Sequence, residues 1–513
     1  MTGGITGEPA RVISRWRRWA ALAVLSLSLA GISMDMTILN VALPQLAADV
    51  HATSVQQLWI VDIYSLVLAG LLVPMSAAAD RLGRRSVLLT GYGIFAAASL
   101  LVVLADSAPA VIAIRALLGI GGAMIMPTTL SMIRVVFTDP RERATALGIW
   151  AAASSVGMAI GPVLGGFLLE HGSWHAAFLV NIPVMGVALV AGSLLLPEFR
   201  SPTPPQWDLP GALASITGTV ALIWAITTFA ERGVTDQPAW IALLAGTGIL
   251  AWFIRRCLRH DNPMLDLGLF RSKPFTAGIL AATTFMFAMS ALLLLSAQWL
   301  QIVEGASPLE AGLAMLPAVL AVGVASPLAP GLAARIGARA VLGGELGVTG
   351  MGFLTIYLAP QPISYGWMVV AMILLGAGAG SLAVGSALII SGTPQTKAGH
   401  AAALEETSYE LGSVLGIAVL GSAAAAIYSS RITSLASQAG LDLAQVRSAG
   451  QSLSAAEDIA RAAGTPELMT LADRAFTTAL ADTGLIGFVV MTLAAVGVTV
   501  LVPRRYDITR AVH

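Results

Sequence analysis

Fourteen stretches of this chain, from about 19–43 to about 478–502, are each close to the roughly 20 apolar residues needed to cross a lipid bilayer. Short polar or Pro/Gly-rich turns separate them. Hydrocarbon offers the backbone no hydrogen-bond partner, and membrane strands would show alternating segments of about ten residues, so runs this uniformly apolar are expected to be helices. Composition agrees. Of 513 residues, 57% are apolar and 11% charged, against about 25% charged in a soluble domain. The expected fold class is an all-α polytopic membrane protein with 14 transmembrane helices.

The charge balance excludes several function classes. Lys plus Arg (28) equals Asp plus Glu (28), which leaves no net field to hold nucleic acid. The single cysteine, Cys257, cannot form an internal disulfide or a CxxC site, and the six His show no metal-ligand spacing. No metal or cofactor is expected, and no GxxxxGK[ST] loop points to ATP. No set of residues suggests an enzyme.

Orientation follows from the basic residues. With a cytoplasmic N-terminus, 22 of the 28 Lys and Arg fall on the inner side, five on the outer side, and Arg115 inside span 4. An even number of spans is needed to keep this partition, so both ends are expected to be cytoplasmic in a bacterial inner membrane. Span 1 is too long for a secretory leader and contains Asp35, so it reads as an uncleaved helix, and no lipidation signal is evident.

The chain also repeats itself. Asp80-Arg81-Leu82-Gly83-Arg84-Arg85 after span 2 is echoed by Ala334-Arg335-Ile336-Gly337-Ala338-Arg339 after span 10, 254 positions on. Gly119 and Gly121 of span 4 are echoed by Gly376 and Gly378, and Gly157 and Gly161 of span 5 by Gly412 and Gly416, at offsets of 257 and 255. One such glycine pair is ordinary membrane-helix packing, but three at nearly one offset indicate duplication. The expected organisation is a six-helix bundle over 1–200, two inserted helices and a linker over 201–272, and a second six-helix bundle over 273–513 with an extracytoplasmic loop at 429–477. Halves related by an axis along the membrane normal suit a rocking transporter.

These motifs resemble those of the major facilitator superfamily, in its 14-span drug:proton antiporter branch. The carrying residues are Met34-Asp35-Met36-Thr37-Ile38-Leu39-Asn40 in span 1, the Asp80–Arg85 loop, Arg115 with Gly119 and Gly121 in span 4, and Gly157, Gly161-Pro162 and Gly165-Gly166 in span 5. Two departures are Ser76, where the loop motif usually begins with Gly, and Leu118, where span 4 often has Gln. The resemblance implies the major facilitator fold arranged 6 + 2 + 6, and proton-coupled export of lipophilic cations such as dyes and quaternary ammonium compounds. It further implies a monomer driven by the proton gradient, an antiporter motif at Gly157, Gly161, Pro162, Gly165 and Gly166, and a gating loop formed by Asp80, Arg81, Gly83, Arg84 and Arg85. A narrow exporter of one metabolite or antibiotic, or an uptake symporter, would share the fold.

The acids stand on physical grounds as well. An ionisable group in hydrocarbon is costly and implies a partner, a cavity or a proton-handling task. Asp35 lies too deep in span 1 to be a helix end, and can exchange a proton and, when ionised, hold a cation. Glu406 and Glu410 share one face of span 13, resist simultaneous ionisation, and fall where the resemblance places a second acidic site. Glu405 points elsewhere. Solvated charges at the inner mouth are the other reading, since Lys397 and His400 are close by. Arg115 must pair with an acid and is roughly level with Asp35 and Asp62, either as a switchable coupling pair or as a permanent structural one. Asp62 reads equally as a functional acid and as a solvated outer helix end. Glu345 is expected to reach the inner interface. Most Trp, Trp174 included, read as an aromatic belt; Trp59, Trp150 and Trp299 are candidates for facing a cation. In the 429–477 segment, Ser454 with Glu457 reads as a capping box and Thr465-Pro466 as a helix start.

Overall fold

A computed structural model describes residues 14–200, 208–233, 235–259, 265–394, 397–438, 449–450, 453, 455–456, 459–460 and 466–503. The described residues contain no strand. Among the described residues, fourteen helices are long and apolar enough to cross a membrane: α1 Arg15–Asp49, α2 Ser54–Leu82, α3 Arg84–Leu104, α4 Ala108–Val136, α5 Thr145–His171, α6 Ala176–Leu195, α7 Pro210–Ala230, α8 Gln237–Arg259, α9 Lys273–Val303, α10 Pro308–Ile336, α11 Ala338–Leu358, α12 Tyr365–Ser391, α13 His400–Leu435 and α14 Glu467–Leu501. The chain is therefore a multi-pass, all-helical membrane protein.

Local chemistry sets the helix ends. Thr53 and Gln56 form a capping box that starts α2, with Gln56 N donating to Thr53 Oγ1 at 3.3 Å and Thr53 N donating to Gln56 Oε1 at 3.0 Å. The tight α2–α3 turn needs Gly83 at φ +117°, and the α10–α11 turn needs Gly337 at φ +91°. These are the two glycines that the repeat aligns.

The same correspondence governs packing. Gly157 lies against the Ala30 backbone and Gly161 against Thr37, closing α5 onto α1. In the second half, Gly412 lies against the Thr283 backbone and Gly416 against that of Phe287, closing α13 onto α9. Missing side chains let each pair of backbones approach closely, the usual way that membrane helices associate.

The halves meet at the end of the bundle that holds the α1–α2 turn. There Gly166 of α5 rests on Pro308 and Leu309, and Gly312 of α10 rests on the Pro162 carbonyl. Gln301 Nε2 donates to the Val41 carbonyl at 2.9 Å, and Gln298 Nε2 to Gln57 Oε1 at 3.3 Å. Two π-helical turns, Trp299–Val303 in α9 and Ile417–Gly421 in α13, lie in this seam. Helix α7 packs against α2 and α13, while α8 leans mainly on α7.

Three expectations change. The last membrane helix begins at Glu467 rather than near 478, so Pro466 opens α14 itself instead of a separate short helix. Helix α13 continues past 428 to Leu435, which shortens the 429–477 loop at both ends. Trp174 belongs to no belt: it is 2% exposed, stacks on His175 and donates to Asp49 Oδ2 at 2.7 Å. Trp16, Trp240 and Trp367 are exposed near helix ends, as a belt requires. Ser454, Glu457 and Thr465 lie outside the described residues.

Candidate proton and cation site

Asp35, 1% exposed in the middle of α1, meets Arg115 of α4. Arg115 Nη1 donates to Asp35 Oδ2 at 2.7 Å, and its Nε donates to the Ile60 carbonyl at 3.1 Å. The other carboxylate oxygen, Oδ1, accepts from Asn181 Nδ2 of α6 at 2.7 Å. The guanidinium sits 4.5 Å from the Tyr64 ring centroid. Both oxygens are thus held by donors and the ion pair is fully desolvated, an arrangement that keeps its charges only while both members stay in place. Sequence reasoning placed Asp35 and Arg115 together but missed Asn181. The available signal was a lone amide in the apolar run Val180-Asn181-Ile182 of span 6.

The second cluster lies where α2 faces α13. Glu410 is 3% exposed, lies beside Ser65 of α2, and leaves Oε2 without a partner. Glu406, one turn away, is largely buried and lies within electrostatic reach of Glu410. Glu405 turns aside, accepting from Tyr409 Oη at 2.6 Å, with Ser386 of α12 nearby. Neither oxygen of Asp62, one turn before Ser65, has a hydrogen-bond partner. At 1% exposure, Asp62 is not a solvated helix end, and Glu410 is not a solvated charge at a mouth. Tyr64 stands between the clusters, within electrostatic reach of Asp35, Arg115 and Glu410, and its buried hydroxyl is unpartnered.

The remaining candidates are dispersed. Arg84 donates to Asp80 Oδ1 at 2.9 Å through Nε and 2.7 Å through Nη2, and to the Ser131 carbonyl of α4 at 3.0 Å. Arg85 donates to the Ser193 carbonyl of α6, and Glu198 accepts from the backbone N–H groups of Arg85 and Ser86. The loop therefore ties α2, α3, α4 and the end of α6 together within the first half, with Gly83 providing the turn and Arg81 exposed. Gly157, Gly161 and Gly165 face α1, whereas Pro162 and Gly166 reach α10 in the other half. The three tryptophans share no surface: Trp59 packs beside Ile223 and Val220 of α7, Trp150 Nε1 donates to Thr129 at 3.2 Å, and Trp299 is fully buried in its π turn.

Glu345 requires a correction. Instead of reaching the inner interface, its carboxyl group lies against Ala329 of α10 and against Gly380, where α12 is interrupted, and Oε2 is buried without a partner. Depth along a span was a poor guide here, because Gly380 provides a niche that only the neighbouring helix reveals.

Known proteins resemble this chain along most of its length. The family model described as Major Facilitator Superfamily matches residues 25–417. The chain is 40% identical over 504 residues to the multidrug efflux pump LfrA of Mycolicibacterium smegmatis, covering 96% of this chain and 98% of LfrA. It is 36% identical over 450 residues to the methyl viologen resistance protein SmvA of Salmonella typhimurium, covering 87% and 90%. A tetracenomycin C resistance and export protein of Streptomyces glaucescens is 31% identical over 420 residues, covering 82% and 78%. Among solved structures, an inward-facing, unoccupied bacterial homolog of the human lysosomal transporter Spinster superposes with a TM-score of 0.65 at 18% identity, covering 96% of this chain and 99% of that one. That likeness concerns the fold alone.

Proposed function

Since this chain belongs to the Major Facilitator Superfamily, and is accordingly a transporter and not an enzyme, we propose that it exports lipophilic cations in exchange for protons. One observation carries the reading: Asp62 and Glu410 are deeply buried, incompletely hydrogen-bonded acids on the two helices where the halves meet. A carboxyl group without donors in a dry interior is stable there only when a proton or a cation occupies it, so holding one excludes the other. The relatives named for multidrug efflux and methyl viologen resistance support export of such compounds.

In this reading Glu410, with Glu406 beside it, takes a proton or a cation in alternation, and Asp62 lies on the same path. Asp35 joins the cycle when Arg115 releases it. That release is the coupling step, with Tyr64 between the two acidic centres. The Asp80–Arg85 loop holds α2 and α3 to α4 in one state of the cycle. The inward proton gradient drives the exchange, its electrical part supplying about 2.3 kcal/mol per charge per 100 mV. The expected setting is a bacterial cytoplasmic membrane with both termini inside.

The test is efflux of a cationic dye from vesicles with an imposed pH gradient. Wild-type protein is expected to accelerate efflux, and Glu410→Gln to abolish the gradient-driven component. Undiminished gradient-driven efflux in Glu410→Gln, Glu406→Gln and Asp62→Asn would sink the proposal. The tetracenomycin relative favours a second reading, export of one antibiotic, which substrate competition in the same vesicles separates from broad export.

A further inference from the structure

Helix α8 is set apart from the transport machinery. Only 17% of its most apolar stretch is buried, against 72% for α1, so most of its surface is left to lipid. Its lipid-facing stripe runs through Leu244, Gly248 and Trp252 and ends in Arg255 and Arg259, positions that recur at three- or four-residue spacing on one side of the helix. Leu244 is 69% exposed, Trp252 is 47% exposed, and nothing lies within 4 Å of where a Gly248 side chain would be. The stripe is therefore apolar for most of its length, notched at Gly248, and cationic at one end.

At that end Trp252, Arg255, Arg256 and Arg259 frame a concavity of about 280 Å³. Arg256 is anchored, its Nε donating to Asp208 Oδ1 at 2.9 Å, with its guanidinium carbon 5.6 Å from the centre of the Trp252 ring. Asp208 in turn caps α7 by accepting from Gly211 N at 2.9 Å. Asp208 offsets only one of the three cations, so among the described residues the concavity has a surplus of two positive charges. The dipole at a helix C-terminus accounts for arginines near the end of α8 in general. It does not account for two of them continuing the lipid-facing stripe beside an exposed tryptophan.

We propose that this end of α8 binds one anionic phospholipid. Its phosphate is held by Arg255, Arg256 and Arg259, its glycerol region lies beside Trp252, and an acyl chain follows the stripe through Gly248 and Leu244. The dimensions fit. Arg255 lies eleven positions after Leu244, about 16 Å along a helix, close to the roughly 15 Å depth of one leaflet's hydrocarbon. Guanidinium forks match phosphate geometry, and basic pockets at the membrane surface are the usual receptors for anionic headgroups. The lipid would bear on transport through the Arg256–Asp208 link, since α7 packs on α2 and α13.

The test uses the purified full chain in detergent, titrated with dioleoyl phosphatidylglycerol and, separately, with dioleoyl phosphatidylcholine and inorganic phosphate. Native mass spectrometry and thermal unfolding are the readouts. Phosphatidylglycerol is expected to be retained at one copy and to raise the unfolding midpoint, while the other two do neither. Arg255→Gln with Arg259→Gln is expected to weaken retention at least tenfold without changing the lipid-free midpoint, and Arg335→Gln with Arg339→Gln to leave retention intact. Should the first double variant fail to purify, Arg255→Glu alone gives the same comparison. Equal retention of both lipids, equal loss in both double variants, no loss in the Arg255/Arg259 variant, or an equal effect of inorganic phosphate would each overturn the assignment.

Discussion

The acids of α1 and those of the α2–α13 seam share burial and differ in company. Asp35 accepts at 2.7 Å from Arg115 and at 2.7 Å from Asn181. Asp62 accepts nothing, and Glu410 leaves Oε2 bare. Burial alone therefore does not identify a proton-handling group. A carboxylate fully supplied with donors stabilises the bundle around it, whereas one short of donors is available to a mobile ion. The first half is ordered around a fully partnered charge pair, and the contact between halves is left electrostatically unfinished.

The sharpest way to break this contrast is to neutralise one acid from each group. Asp35→Asn strands the Arg115 guanidinium, whose side chain is 2% exposed, and should cost about 3–5 kcal/mol, read as a drop in thermal unfolding in detergent. Glu410→Gln strands no cation, so its stability should change by less than about 1 kcal/mol while gradient-driven efflux disappears. Equal destabilisation by the two would erase the distinction. Next in size, Asn181→Leu removes one charge-assisted hydrogen bond and should cost about 1.5–3 kcal/mol, with the loss much reduced in an Asp35→Asn background. Additive losses would show that Asn181 acts elsewhere. For Asp62→Leu the sign should reverse: removing an unpartnered buried carboxyl group should raise stability by about 1–3 kcal/mol and reduce proton-driven efflux. A destabilised variant would mean that Asp62 has a partner after all.

The smallest effect concerns an acid outside the spans. The Lys397 ammonium, bonded at 2.6 Å, holds the Asp266 carboxyl below its usual range, with the Gly268 N–H and the His400 charge helping. A lowered folded-state value gives stability that is fully present above the ordinary carboxylate range and lost as pH falls through the lowered value. The pair is partly exposed, so Lys397→Gln should only flatten slightly the decline in unfolding temperature below about pH 4. An unchanged acid limb would show the pair to be ornamental.

The number of helices and their all-α class were legible because a lipid-spanning run advertises itself by length. The meeting of Asp35 and Arg115 was legible because a buried guanidinium must find an acid. Asn181 was not, since no spacing rule links an amide in span 6 to a carboxylate in span 1. Glu345 misled for a related reason: its depth can be counted along the chain, but the Gly380 niche belongs to another helix. Asp62 was undecided from its position near a helix start, and only the neighbours supplied by the fold distinguish a wet end from a dry one. The early start of α14 was hidden because its first turns, Pro466 to Arg474, are polar enough to read as loop.

The two π turns bear on how the seam can move. Each holds one residue more than a regular turn, and such a surplus can travel along a helix as a fold travels along a carpet, exchanging hydrogen bonds one at a time without unwinding the rod. Every residue it passes is re-phased by about 100° around the helix axis. In α9 that would swing Gln298 and Gln301 off their partners Gln57 and Val41, and in α13 it would lift Gly421 from Leu58. The seam can thus be unbuttoned from within two intact helices.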